Sequence, residues 1–251
     1  MKNLFCLEFF KLRHKKIWTL PFALIIVQFL WGMKAMMSYT TLHGSEGMWK
    51  YMLYQMSFLN CLMMPIIISI IASRISDMEH KGCTFKFINT IISPGKLYSA
   101  KFLSGSTYLI FMVLAQTVVM IFMSFMMKFK DVLPVHHILI FFIVTVIVNL
   151  CIFTIQLGIS ILVSNQMIAL ITGLIESFTG LFAMFFPKVI QRFFLWSYYS
   201  ILSTLNPITD LKTKSFNVEY TSLDLWGLFV ICISSVILFL AGKFIFERKE
   251  V

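Results

Sequence analysis

The groups able to do chemistry in this chain are few, and most sit where water is scarce. Gln116, Asn149, Gln156 and Glu176 interrupt long apolar runs, and Glu176 is the one acidic residue deep inside such a run. A charge at mid-membrane costs about 2.5–3.5 kcal/mol on insertion scales, so Glu176 should face other helices or carry a proton. Three roles stay open for it: a structural hydrogen bond, contact with a cationic substrate, or proton coupling. Gln116, Asn149 and Gln156 suit interhelical hydrogen bonds of about 0.6 kcal/mol each, with the lining of a substrate path as the other reading. Gly173 and Gly180 flank Glu176, and Ala169, Gly173 and Ser177 form a small-residue row. That row predicts close packing of this run against another helix or a partner subunit. No G-x-x-x-x-G-K-[ST] phosphate loop occurs; Gly95-Lys96 and Gly242-Lys243 lack the rest of it. No nucleophile–base spacing suggests a hydrolase. Cys61, Cys151 and Cys232 fall in apolar runs, and Cys6 and Cys83 in basic flanks. Neither a disulfide nor a metal site is expected from that distribution, and His136-His137 project to different helix faces.

A polar stretch from Ser73 to Lys101 is the other place for chemistry. With Cys83 to Ser93 on a helix, Phe85, Phe87, Ile88, Ile91 and Ile92 share one arc and Lys86, Asn89, Thr90 and Ser93 the opposite one. Pro94-Gly95 should stop that helix, and Asp77 and Glu79 stand near its start, where negative charge suits the dipole. The expected element is an amphipathic helix lying flat beneath the flanking spans, its apolar arc on the bundle. It is either a surface helix in the headgroups or a docking helix gripped by a soluble partner. The length of the segment favours docking, since neighbouring helices need only about 2–8 connecting residues.

These residues are positioned by membrane-spanning helices. The chain is 59% hydrophobic and 13% charged, against about 45–50% and about 25% for a soluble domain. The excess lies in runs of about 20 residues, the length that crosses about 30 Å of hydrocarbon. Six spans are predicted, near Ile17–Met37, Trp49–Ser73, Phe102–Met127, His137–Val163, Met167–Phe186 and Leu225–Phe246. The fold class is an all-α integral membrane protein, with residues 1–251 forming one transmembrane domain; no soluble domain fits between the spans. With the N-terminus inside, thirteen Lys and Arg fall on the cytosolic side and eight outside. The cluster Lys11, Arg13, Lys15 and Lys16 ahead of the first span favours this N-in, C-in orientation. The net charge of +10 is then a topological signal rather than a sign of nucleic acid, for which no aromatic-plus-basic platform exists. The N-terminus shows no cleavage site and is expected to be retained. Residues 187–224 contain an aromatic core, Phe193–Leu205, too short to cross. An interfacial or re-entrant helix on the outer face, ended by Asn206-Pro207, is expected there. Met and Phe, 17 and 27 in number, are lipid-facing bulk or an adaptable wall for an amphipathic peptide.

The stretch "EHKGCTFKFINTIISPGKLYSAK" resembles the coupling-helix motif of type-2 ABC-transporter permeases at Glu79, Gly82, Thr84, Pro94 and Lys101. Its spelling, and "LEFFKLRHKK" ahead of the first span, look most like the lantibiotic-immunity branch, the MutE/EpiE-type permease subunits. Cys83 stands between Gly82 and Thr84, where the broader family often has Gly directly before Thr. The resemblance implies a six-span half-transporter with an elbow helix in residues 1–16 and short re-entrant helices between spans five and six. It also implies two copies of a soluble ATPase that hold ATP and magnesium, a second and different permease subunit, and a peptide antibiotic cleared from the membrane. This chain itself would bind no cofactor and catalyse nothing. Glu79, Thr84, Phe85, Lys86, Asn89, Thr90 and Ser93 would couple it to the ATPase, while Gln116, Asn149, Gln156 and Glu176 mark a substrate path or subunit seam. Eight basic against five acidic residues outside do not attract a cationic peptide, so its recognition would be apolar or lipid-coupled. A homodimeric exporter of a lipophilic drug, and a non-transporting scaffold or sensor, are the alternatives.

Overall fold

The computed structural model describes residues 2–13, 17–44, 46–82, 85–210 and 215–248. Helix α1 (Lys2–Arg13) precedes α2 (Thr19–His43) and α3 (Met48–Lys81); the short α4 (Phe85–Ile91) leads to α5 (Pro94–Met126), α6 (Val135–Leu162) and α7 (Gln166–Ala183). Two one-turn helices, α8 (Lys188–Gln191) and α9 (Tyr198–Ile201), then precede strands β1 (Leu205–Asp210) and β2 (Ser215–Tyr220) and the last helix, α10 (Leu225–Arg248). Six helices, α2, α3, α5, α6, α7 and α10, are long and apolar enough to cross a bilayer. Lipid offers backbone groups no hydrogen-bond partner, so helices are the form such runs must take.

The spans differ from expectation mainly in length. Helix α3 has 34 residues and α5 has 33, about 50 Å each at 1.5 Å per residue, well beyond a 30 Å hydrocarbon core. Their polar ends, Arg74–Lys81 and Pro94–Lys101, continue the spans as helix rather than forming a loop. Pro94 does stop α4, but by opening α5 at its first position, where a missing N–H costs nothing. The transverse helix is therefore seven residues long, shorter than the eleven expected.

Helix α3 is the axis of the bundle and packs against α7, α6 and α2, while α10 lies on α6 and α5. Pro65 sits inside α3, where it removes one backbone hydrogen bond. The hydroxyl of Ser177 on α7 donates to the Leu62 carbonyl, next to the Cys61 carbonyl that Pro65 leaves without its helical donor. The small row of α7 makes this approach possible. A Cβ on Gly173 would lie 2.4 Å from Ser69 Oγ and 3.1 Å from the Pro65 carbonyl. The close seam of span five is thus intramolecular. Six buried methionines, Met36, Met48, Met52, Met56, Met120 and Met123, fill the core at the far end of the bundle, so this part of the methionine content is internal packing.

The segment after α7 is not one interfacial helix. It is broken into α8, a 3₁₀ turn at Leu195–Ser197 and α9, and then forms an antiparallel hairpin with Pro207 opposite Val218. Asn206-Pro207 lies inside β1 instead of ending a helix. A two-stranded hairpin is all edge, so proline is tolerated there. Tyr198 and Tyr199, expected at the interface, are buried. Their hydroxyls find partners in the bundle, Tyr198 at the Arg192 carbonyl (3.3 Å) and Tyr199 at Asn149 Oδ1. A buried phenol needs such a partner.

Candidate functional site

The first turn of α5 packs beside the last turns of α10, where a Cβ on Gly95 would fall 1.9 Å from Glu247 Oε1. Helix α1 packs on α5 as well, so α1, the last turns of α10 and the α4–α5 junction stand at the same end of the bundle. The excess of lysine and arginine assigns this end to the cytosol.

Helix α1 turns one face inward. Phe9 stacks on Tyr108 of α5 at 5.1 Å, Leu12 is 2% exposed, and Glu8 between them is fully buried. Leu7 and Phe10 stay exposed. Glu8 enters the bundle because two lysines wait for it. Lys101 Nζ of α5 lies 3.1 Å from Glu8 Oε2, 2.8 Å from Glu79 Oε2 of α3 and 3.2 Å from the Ile75 carbonyl. Lys11 Nζ bridges the other oxygens, 2.8 Å from Glu8 Oε1 and 3.0 Å from Glu79 Oε1. Burial works against the charge on Lys11, but the two carboxylates prevail and raise its pKa above the usual 10.5. Two acids and two bases cancel, which is what allows them below the surface. The quartet clamps α1, α3 and α5 together at the end of the bundle where α4 joins α3 to α5.

Glu79, expected on the docking segment, is therefore 1% exposed, faces inward and ties α3 to α1 and α5. Glu8 and Lys11 were missed as its companions. The signal was present, since Glu8 is the only acidic residue before Glu46 and has a lysine three residues on. Glu79 and Lys101, the two ends of the resembling motif, are thus one contact. Thr84 lies outside the described residues, as do the side chains of Phe85, Lys86 and Asn89. Thr90 is exposed, its hydroxyl donating to the Phe87 carbonyl at 2.7 Å, and Ser93 caps α5 through its carbonyl, 3.0 Å from the Lys96 N–H. The apolar arc is divided. Ile88 and Ile92 pack on the core, while Phe87 and Ile91 are each 68% exposed. A single short helix lays only one i, i+4 row on its neighbour, and the next row stands free.

The polar groups within the spans form separate links inside one chain. Asn60 Oδ1 of α3 accepts from Gln28 Nε2 of α2 (2.9 Å) and Gln116 Nε2 of α5 (2.6 Å). Asn149 of α6 takes the Tyr199 hydroxyl. Gln156 of α6 accepts from Thr172 Oγ1 of α7 at 3.4 Å and lies beside Glu176, one turn further along α7. All four expected residues are buried, so they join spans of the same chain and none is displayed on an outer seam. Gln28 and Asn60 were not anticipated, although they interrupt apolar runs just as Gln116 and Asn149 do. Cys61 and Cys151 are buried free thiols, and Cys6 and Cys232 are exposed and free.

Among the described residues, six helices able to cross a bilayer pack into one bundle, with the short α4 between α3 and α5 at one end, which defines a polytopic membrane domain. The family model of the ABC-2 family transporter protein matches residues 4–180, and the chain belongs to that family. It is the membrane permease component of an ABC exporter, which works with a separate ATPase subunit. Comparison with curated proteins gave no match.

Proposed function

We propose that this chain is one permease of a heteromeric exporter that expels a lantibiotic or similar amphipathic peptide from the plasma membrane of a Gram-positive bacterium. Two ATPase subunits, carrying ATP and magnesium, dock beneath α4, and a second, different permease completes the membrane domain. Nucleotide-driven closure of the ATPases pushes on α4. The observation that carries this reading is the buried quartet that ties α1, α3 and α5 together at the end where α4 connects α3 to α5. A push on α4 reaches α3 and α5 through their helical continuity, and reaches α1 through Glu8, Lys11, Glu79 and Lys101. The three helices then move as one body, as rocking of two permease halves requires. The exposed Phe87 and Ile91 offer an apolar contact for the ATPase. Immunity and the peptide cargo rest on the resemblance of Glu79–Lys101 and of "LEFFKLRHKK".

The test is expression of the chain with the products of its neighbouring genes in a peptide-sensitive host. The expected result is co-purification of an ATPase and a second six-span protein, with peptide resistance lost on changing Phe87 and Ile91 to Asp. Resistance that survives those changes, in a preparation without an ATPase, refutes the proposal; a single permease species with an ATPase favours the homodimeric alternative.

A further inference from the structure

A cavity of about 380 Å³ opens at the end of the bundle opposite α4. Its walls come from the first third of α3, the turn after α7, α8 and the start of β1. A groove of about 280 Å³ continues it along α3 past Tyr54 and Phe58. Helix α3 begins at Met48, and Phe58 lies ten residues on, about 15 Å at 1.5 Å per residue. The α3 wall of the cavity, Tyr54 to Phe58, therefore lies within the outer half of a hydrocarbon core of about 30 Å.

Its chemistry is divided by depth. Phe58, Met184 and Phe185 supply an apolar wall, and Lys188, Ser203 and Asn206 a polar mouth. No acidic side chain lines it. Lys188 makes no ion pair among the described residues, whereas the neighbouring cation Arg192 is held by Asp224 at 2.9 Å. Ser203 Oγ is buried without a hydrogen-bond partner among the described residues. Gln191 is turned away, its amide donating to the Met184 and Phe186 carbonyls at 3.2 and 2.8 Å. Lys188, outside any ion pair among the described residues though within the field of Asp224, and the unpartnered Ser203 hydroxyl therefore stand beside an aromatic slot.

We propose that this cavity binds an anionic phospholipid of the outer leaflet, with its phosphate at Lys188 and Ser203 and an acyl chain along Phe58 and Phe185. A cationic peptide is disfavoured there by Lys188 itself. The site goes beyond the export reading and does not depend on which cargo the transporter moves.

The purified full-length chain in neutral detergent is titrated with short-chain phosphatidylglycerol, and thermal stabilisation gives the apparent affinity. Short-chain phosphatidylcholine and inorganic phosphate are the parallel probes. Lys188→Glu should weaken phosphatidylglycerol binding about tenfold, the loss of one charge-assisted contact. Lys188→Arg should stay within about twofold, and Ser203→Ala should weaken it about threefold. Lys130→Glu, an equal charge change in the exposed α5–α6 connection, should leave it unchanged. Lys188 is exposed and Ser203 Oγ has no structural partner, so each variant folds and its unliganded melting point checks this. Unchanged binding by Lys188→Glu or Ser203→Ala overturns the proposal, as does an equal loss in Lys130→Glu. Equal stabilisation by phosphatidylcholine, or by phosphate alone, overturns it too.

Discussion

Removal of the Lys101 ammonium is the most severe single change the structure allows at the cytosolic end. That ammonium donates to Glu8 Oε2 and the Ile75 carbonyl and lies 2.8 Å from Glu79 Oε2 as an ion pair. Lys101→Met keeps the apolar stem but leaves two buried carboxylates facing one lysine. Breaking a buried pair from one side costs about 3–5 kcal/mol, which for a chain of this size lowers the melting point by roughly 6–20 °C. Lys11→Met should do less. Lys11 is 25% exposed in its side chain, water reaches the gap, and Lys101 still neutralises one acid, so a cost of about 1 kcal/mol is expected. Adding Glu8→Gln to Lys101→Met restores neutrality and should recover more than half of the loss. Trp18, whose ring lies 4.6 Å from that of Tyr108, reports the elbow by fluorescence during thermal unfolding in detergent. The reasoning fails if Lys101→Met costs no more than Lys11→Met, or if the added Glu8→Gln deepens the loss.

Other changes separate folding from coupling. Phe87→Asp and Ile91→Asp alter exposed side chains, so the melting point should stay within the roughly 0.5 kcal/mol usual for surface changes, while the amount of ATPase co-purified falls. Gly173→Leu drives a side chain into Ser69 and the Pro65 carbonyl and should cost at least 2 kcal/mol or so. Gly158→Ala, with nothing within 4 Å of the new Cβ, should be neutral or stabilising by up to about 1 kcal/mol; both are read as melting points. The folded pKa of Lys11 is raised above 10.5, so its share of elbow stability is fully present below that value and lost as pH rises through the higher folded pKa. A melting-point profile should therefore show no fall assignable to this group until strongly alkaline pH, and Lys11→Met should flatten the alkaline limb. At the opposite end, the Gly227 N–H, and then Arg192 and Lys188, outweigh burial and hold the Asp224 carboxyl below its usual 3.8. Its contribution is present above 3.8 and lost as pH falls through the lower folded value, and Asp224→Asn should remove that acid-limb component.

Much of this molecule was legible locally. Apolar runs long enough to cross, and lysines crowded at one set of ends, fix six spans and the side that faces the cytosol, because length and hydropathy act residue by residue. The small row of Ala169, Gly173 and Ser177 followed from helical spacing alone. Which polar groups meet was not legible. Glu8 and Lys101 are 93 residues apart, and Lys11 and Glu79 are 68 apart. Their contact depends on how α1 crosses the α3–α5 pair, and so does the inward turn of Glu79. Asn60 likewise collects Gln28 and Gln116 only once three helices have taken their places. The outer segment misled for a related reason: its aromatic residues suited an interface by composition, but Tyr199 had a buried acceptor in Asn149 that only the packed bundle supplies. The sequence alone determined how many times the chain crosses and which residues are forced out of water. Tertiary structure decided which of those buried polar groups neutralise one another, because in a low-dielectric interior that choice is made by helix crossings and not by spacing along the chain.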